Sequence, residues 1–204
     1  GMGVLGSCLR ATNDLEESLV YLNKAIELNP NYAEAFINRG LTRVTQGDKA
    51  SALADLEVAH RLKPHIKQIW DLVTGLTIEA EQYPDAISLL INMIEIDPNH
   101  EKSFYNIALC HQRLGNNEAA IEAYKKALAI KPDHAETYNN MSVALQEQGK
   151  LDETLEALNK ALAIKPDFAE AYLNMGNALR EQGKLEEAIK TYSKALAIKP
   201  DFAE

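Results

Sequence analysis

KALAIKPDFAE occupies residues 160–170 and returns letter for letter at 194–204, and its first eight letters also stand at 126–133. A string that recurs this way belongs to a period, and the prolines give its length. Six of the seven fall at positions 30, 64, 98, 132, 166 and 200, each 34 residues after the last. A second comb keeps step with them: Gly47, Gly115, Gly149 and Gly183 share one phase of the same period, with Asn13 and Glu81 in its remaining places. Every unit therefore carries one internal stop and one terminal stop.

Between the stops the apolar spacing is helical. Tyr172, Met175, Gly176 and Leu179 follow i, i+3, i+4, i+7, and Leu185, Ala188, Ile189, Tyr192, Ala195 and Leu196 continue the rule after Gly183. Two amphipathic helices per unit result. Gly or Asn past the first helix suits the left-handed conformation that ends it, because glycine has no Cβ to clash. Proline ends the second helix. Asn31 with Glu34, Asp133 with Glu136, and Asp167 with Glu170 have the spacing of a capping box, so each first helix is expected to begin on a capped turn.

These units resemble tetratricopeptide repeats (TPRs), whose pattern asks for an aromatic, Leu-Gly, a second large residue, a small residue, an aromatic, Ala and Pro. Residues 169–202 supply Tyr172, Met175-Gly176, Leu179, Ala188, Tyr192, Ala195 and Pro200. The resemblance covers the chain as units 1–32, 33–66, 67–100, 101–134, 135–168 and 169–202, with 203–204 opening a further helix. It implies an all-α fold, a right-handed α-solenoid of six helix-turn-helix units. Small residues fall where helix axes approach, and large ones fill the gaps. Unit 67–100 departs from the pattern: Thr74 replaces Gly or a small residue, Met93 replaces Ala, the turn glycine is missing and Pro84 is added. A local change in curvature is expected there, while Pro84, in a first turn, leaves its helix intact.

The resemblance also implies a use. Each unit's first helix lines an inner groove that holds a partner segment. Two places after the opening aromatic stand Asn38, Asn106, Asn140 and Asn174, with Val4 and Leu72 breaking the series. A carboxamide offers the donor and acceptor that a peptide bond answers. With first helices about 10 Å apart and an extended chain rising about 3.3 Å per residue, one asparagine meets every third partner residue. This is similar to the asparagine ladder in the TPR arms of O-linked N-acetylglucosamine transferase-like proteins. Tyr105, Leu109, Asn139, Val143, Leu173 and Asn177 flank the ladder, preceded by Ile37, Leu41, Asp71 and Gly75. The floor is apolar and amide. A clamp for carboxylate termini is not expected, since Glu34, Glu136 and Glu170 stand at its lysine places and only Lys102 matches in type.

Other chemistries find little support. A net charge of −9, from 21 Lys and Arg against 30 Asp and Glu, argues against nucleic acid. No apolar run approaches a membrane span, because Ser88, Asn92 and Glu95 interrupt even residues 86–96. Two cysteines make no disulfide framework and suit a reducing, cytoplasmic setting. Cys8 and Cys110 are read as small core residues. His65, His100 and His134 are read as solvated turn residues, and Trp70 as core. Arg39 and Arg43 fall where large apolar residues belong, and Asp55 on the partner helix is the expected ion-pair mate of Arg39. No nucleophile with a base, phosphate loop or metal set appears, so no catalysis, cofactor or metal is expected. Two functions stay open: a non-catalytic adaptor, or the substrate-recruiting TPR arm of a larger glycosyl- or sulfotransferase-like enzyme. Self-association through the array's ends is a further expectation. Residues 203–204 begin another first helix rather than a polar cap, so Tyr192, Leu196 and Phe202 are expected to face solvent unless repeats continue or another subunit covers them.

Overall fold

The computed structural model describes residues 1–64 and 66–200, the side chains of Lys67 and Gln68 excepted. His65, Phe202 and the helix start expected at 203–204 lie outside the described residues. Twelve α-helices and no strands are found among the described residues. They are α1 (Met2–Ala11), α2 (Leu15–Leu28), α3 (Ala33–Gln46), α4 (Lys49–Leu62), α5 (Lys67–Glu79), α6 (Tyr83–Ile96), α7 (Glu101–Arg113), α8 (Asn117–Ile130), α9 (Ala135–Glu147), α10 (Leu151–Ile164), α11 (Ala169–Glu181) and α12 (Leu185–Ile198). From α3 onward, first helices start 34 residues apart and second helices do the same. The fold is all-α and of the α-solenoid class.

Two compact units are present, Gly1–Asp85 and Ala86–Glu204, and the division falls in the first turn of α6, inside the unit that departs from the pattern. In the first unit α1 packs on α2, α2 on α3, α3 on α4 and α4 on α5. In the second, α7 to α12 pack in the same sequential order, and α9 also touches α11. This is the nearest-neighbour architecture of a repeat array.

The turn comb is left-handed throughout, as its glycines and Asn13 predict. Gly47, Gly115, Gly149 and Gly183 have φ between 70° and 84°, and Asn13 and Glu81 have φ of 64° and 59°. Glutamate lacks the local hydrogen bonding that lets Asn tolerate this region, so Glu81 is strained. Glu81→Gly is expected to stabilise the first unit by about 1 kcal/mol, read as a higher midpoint in a urea titration followed by circular dichroism.

Close helix approach explains the small column. A Cβ on Gly176 would lie 2.4 Å from the Tyr192 ring, and one on Gly40 would lie 2.9 Å from Leu56 Cγ. Thr74 and Met93 are buried. The Thr74 hydroxyl finds no partner among the described residues, while the Ser103 hydroxyl donates to the Met93 sulfur at 3.1 Å.

Four expectations need correction. The capping boxes do not form, because the N-caps of α3, α9 and α11 are Tyr32, His134 and Phe168, one residue later than the predicted caps, and none makes a side-chain cap bond. Side-chain caps occur instead on second helices, where Asp14 accepts from Glu17 N–H and Asp48 from Ser51 N–H. The first-turn glutamates serve another purpose: Glu34, Glu136 and Glu170 pair with Lys63, Lys165 and Lys199, each just past the end of the second helix of the same repeat. The Lys63 ammonium holds the Glu34 carboxyl below its usual range, and for Glu136 its own backbone N–H does more of this than Lys165.

Cys110 is buried but Cys8 is exposed. The reason lies in packing: at the equivalent position Thr42 meets Ser18 of the preceding second helix at 3.3 Å, and no described helix occupies that side of α1. Among the histidines, His100 is buried and contacts the Ser103 hydroxyl at 2.7 Å, and His134 is half-buried against Thr137. Trp70 is core as expected, its indole N–H donating to the Pro64 carbonyl. Tyr192 is half-buried, while Leu185, Ile189 and Leu196 on α12 are exposed. None of the helices among the described residues is long and apolar enough to cross a membrane.

Candidate functional site

In the second unit α7, α9 and α11 are the first helices of three successive repeats, and each presents its ladder asparagine on the same turn. Asn106, Asn140 and Asn174 are half-buried, as are Tyr105, Leu109, Val143, Leu173 and Asn177, while Asn139 is buried. The amides are not independent. Asn140 Nδ2 donates to the Tyr105 hydroxyl at 2.9 Å, and Asn174 Nδ2 donates to Asn139 Oδ1 at 3.0 Å. Asn139 Nδ2 reaches Asn140 Oδ1 at 3.5 Å, a distance at which little strength remains. One polar line thus runs Tyr105–Asn140–Asn139–Asn174 across three repeats. Beyond it, the Tyr192 hydroxyl donates to Asn177 Oδ1 at 2.8 Å.

What remains open decides what the line can do. The Asn106 side chain has no hydrogen-bond partner among the described residues, and Asn174 keeps its Oδ1 free. Tyr105 accepts from Asn140 and still holds its own hydroxyl hydrogen. Burial, with Glu136 and Glu101 nearby, pushes its ionisation up despite the Asn140 bond, so it stays a neutral donor. The surface therefore offers an amide, a carbonyl oxygen and a phenol hydrogen beside Leu109, Val143 and Leu173. Asn38 lies in the first unit, half-buried, and its backbone carbonyl accepts from Thr42. Ile37 and Leu41 are half-buried there, and Asp71 and Gly75 are exposed.

Sequence reasoning missed the lateral bonds, although a signal existed. The bonded pairs Tyr105–Asn140 and Asn139–Asn174 are both 35 residues apart, one more than the period, which is the offset at which neighbouring first helices meet. No group of three or more His, Cys, Asp or Glu side chains suited to a metal occurs among the described residues. The Cys110 thiol is pushed up to about 11 by burial, far from a nucleophile's range.

Comparison with known proteins agrees with the repeat geometry. Family models match three stretches, "Tetratricopeptide repeat" over residues 99–167 and again over 169–202, and "TPR repeat" over 6–47. The chain belongs to the tetratricopeptide-repeat family. Among relatives of this TPR chain, small glutamine-rich tetratricopeptide repeat-containing protein 2 of Mycosarcoma maydis is 34% identical over 115 residues, 56% of this chain and 33% of that protein. Human protein O-mannosyl-transferase TMTC3 is 26% identical over 127 residues, 61% of this chain and 14% of the relative. The chain thus spans a third or less of either. Two solved structures share the TPR fold. The MamA protein has a TM-score of 0.75 at 24% identity, covering 84% of this chain and 93% of its own. YrrB, described as a TPR protein with an unusual peptide-binding site, has a TM-score of 0.70 at 22% identity, covering 88% and 93%.

Proposed function

We propose that this TPR chain is a non-catalytic interaction scaffold, holding an extended segment of a partner protein along α7, α9 and α11. The observation that carries this reading is the set of unsatisfied groups on the polar line: the Asn106 amide, Asn174 Oδ1 and the Tyr105 hydroxyl hydrogen. All three sit half-buried beside apolar side chains, where a hydrogen bond is worth most and an unmet group costs most. A peptide main chain matches them without regard to its side chains, and specificity then rests on apolar contacts with the half-buried Leu109, Val143 and Leu173. The long Asn139–Asn140 contact costs little to break, so Asn140 Oδ1 can turn to an incoming N–H. The peptide-binding site named for YrrB is consistent with this use of the fold.

The test begins with selection of binders from a displayed random peptide library, followed by titration of the best sequence. Each direct bond is worth about 1 kcal/mol net, so Asn106→Ala with Asn174→Ala is expected to weaken the selected peptide about 30-fold. The Asn38→Ala control, in the other compact unit, is expected to bind as the parent does. Unchanged affinity in the double variant refutes main-chain capture by this line.

The match to a stretch of an O-mannosyl-transferase favours a second reading, in which the same surface recruits protein substrates for a catalytic domain on a longer polypeptide. The flanking coding sequence distinguishes the two: a transferase domain in the same reading frame supports the arm, and an unrelated or absent one supports the adaptor.

A further inference from the structure

A groove of about 430 Å³ lies on the other side of the second unit's helix pairs, between α6, α7 and α8. The equivalent grooves one and two repeats on, between α8, α9 and α10 and between α10, α11 and α12, give the chain its own controls. Three side chains set the first groove apart. Ile91 is 48% exposed in it, at a column filled in the other five repeats by Asn23, Glu57, Lys125, Asn159 and Ser193. Ala119 faces it from α8, at a column that elsewhere reads Glu17, Ser51, Asp85, Glu153 and Glu187. Glu95 stands at its rim where the three later repeats have Ala129, Ala163 and Ala197.

The two polar-to-apolar departures come from different helices and different repeats, yet they converge on one groove, whose floor is completed by Ile94, Phe104 and Ile107. An exposed isoleucine at an otherwise polar column carries a hydration cost that a covering partner removes. Ala119 and Ala123, one turn apart on α8, leave room for the ridge of another helix to sit close. The charged residues lining it are Glu95, Glu122 and Lys126. Glu95 makes no ion pair among the described residues, whereas Glu122 is held by Lys125 at 3.2 Å and Lys126 lies over the Phe104 ring.

We infer that the α6–α7–α8 groove is a second docking surface, which takes an amphipathic helix of another protein with leucine-type side chains on one face and a lysine or arginine positioned for Glu95. It is separate from the amide line on α7, α9 and α11 and stands whether or not that line binds a peptide. Recognition is of the helix-in-groove kind, read through apolar anchors about one turn apart.

The experiment uses the full chain and two synthetic 14-residue helical peptides, identical in their leucine face, one flanked by lysines and the other by glutamates. Fluorescence anisotropy is expected to show the lysine peptide binding and the glutamate peptide failing to bind. Ile91→Lys with Ala119→Glu gives this groove the residue types of its sister groove, and is expected to weaken the lysine peptide by at least about tenfold. Both substitutions occur naturally at equivalent positions of this chain, and an unchanged helical melting curve verifies the fold. Glu95→Ala is expected to flatten the salt dependence of binding, and Asn106→Ala with Asn174→Ala to leave it untouched. Equal binding of the two peptides, no binding of either, or full affinity in the Ile91→Lys, Ala119→Glu variant overturns the inference. So does a self-dimer in sedimentation equilibrium that this variant dissolves, since the occupant would then be a second copy of the chain.

Discussion

Asp55→Ala is expected to destabilise the first compact unit by about 3 to 5 kcal/mol, because it strips a nearly buried carboxylate from between two arginines. Arg39 grips Asp55 with two bonds, Nε to Oδ2 at 2.9 Å and Nη2 to Oδ1 at 2.6 Å, and Arg43 Nη1 reaches Oδ2 at 2.7 Å. Asn23 takes a further Arg39 N–H at 2.8 Å, and the Ser51 carbonyl one from Arg43. The Asp55 side chain is 4% exposed and the arginines 17% and 24%, so removing the anion leaves two poorly solvated cations side by side. The control separates a cost of breaking the cluster from a benefit of having it. Repeat 135–168 fills the same three places with Met141, Leu145 and Ala157, all buried. Arg39→Met, Arg43→Leu and Asp55→Ala together are therefore expected to recover most or all of the parent stability, as well-packed apolar groups replace a desolvated ionic set. Amide hydrogen exchange in α3 and α4 is the readout, since two compact units need not unfold in one step. A triple variant as unstable as Asp55→Ala alone would show that the ionic set itself holds α3 to α4.

That cluster was legible in the sequence because it broke a column: two arginines at apolar places and an aspartate at the facing place on the next helix. The same logic placed two helices in each of the six repeats and a left-handed turn at Asn13 and the four comb glycines, since backbone conformation in a repeat follows local residue type, while Glu81 takes that turn against its residue type. Features that depend on what covers a residue were not readable this way. Cys8 and Cys110 share a column, yet one has a second helix over it and the other does not. The predicted capping boxes failed by a single residue, because Tyr32, His134 and Phe168 already adopt the N-cap conformation and the glutamates find lysines at the repeat's far end. The amide line shows a different limit. Comparing residues 34 apart aligns equivalent places, but the side chains that touch across repeats are 35 apart, so four seemingly parallel asparagines include two already bonded to neighbours. The candidate surface was thus found by column and its free groups only by geometry.

Tyr124→Ala is the second large effect, expected to cost the second unit about 3 to 5 kcal/mol, and the same substitution at Tyr192 is expected to cost less than half as much. The two residues are 68 apart and occupy one repeat position. Tyr124 has no exposed surface and sits in the cluster of Leu90, Ile107, Ala108, Ile121, Leu128 and Met141. Its hydroxyl donates to Gln112 Oε1 at 2.8 Å, and burial drives its ionisation far up, so it remains a neutral donor. Truncation opens a ring-sized cavity and orphans Gln112. Tyr192, on α12, lies half-buried against Gly176 of α11, and α12 also carries exposed Leu185, Ile189 and Leu196, so its loss removes a partly exposed ring rather than emptying a closed core. Tyr124→Phe isolates the hydroxyl and should cost about 1 kcal/mol. Hydrogen exchange again reports the outcome, with α7 and α8 losing protection in Tyr124→Ala and α12 alone in Tyr192→Ala. Because the Tyr124 ring packs 6.0 Å from that of Tyr105, which accepts from Asn140, the cavity also frees the first member of the amide line. Peptide affinity should therefore fall in Tyr124→Ala under conditions where the unit is still folded, and hold in Tyr192→Ala. Equal stability losses at the two tyrosines would mean that repeat position, and not the covering repeat, sets the energy of the core.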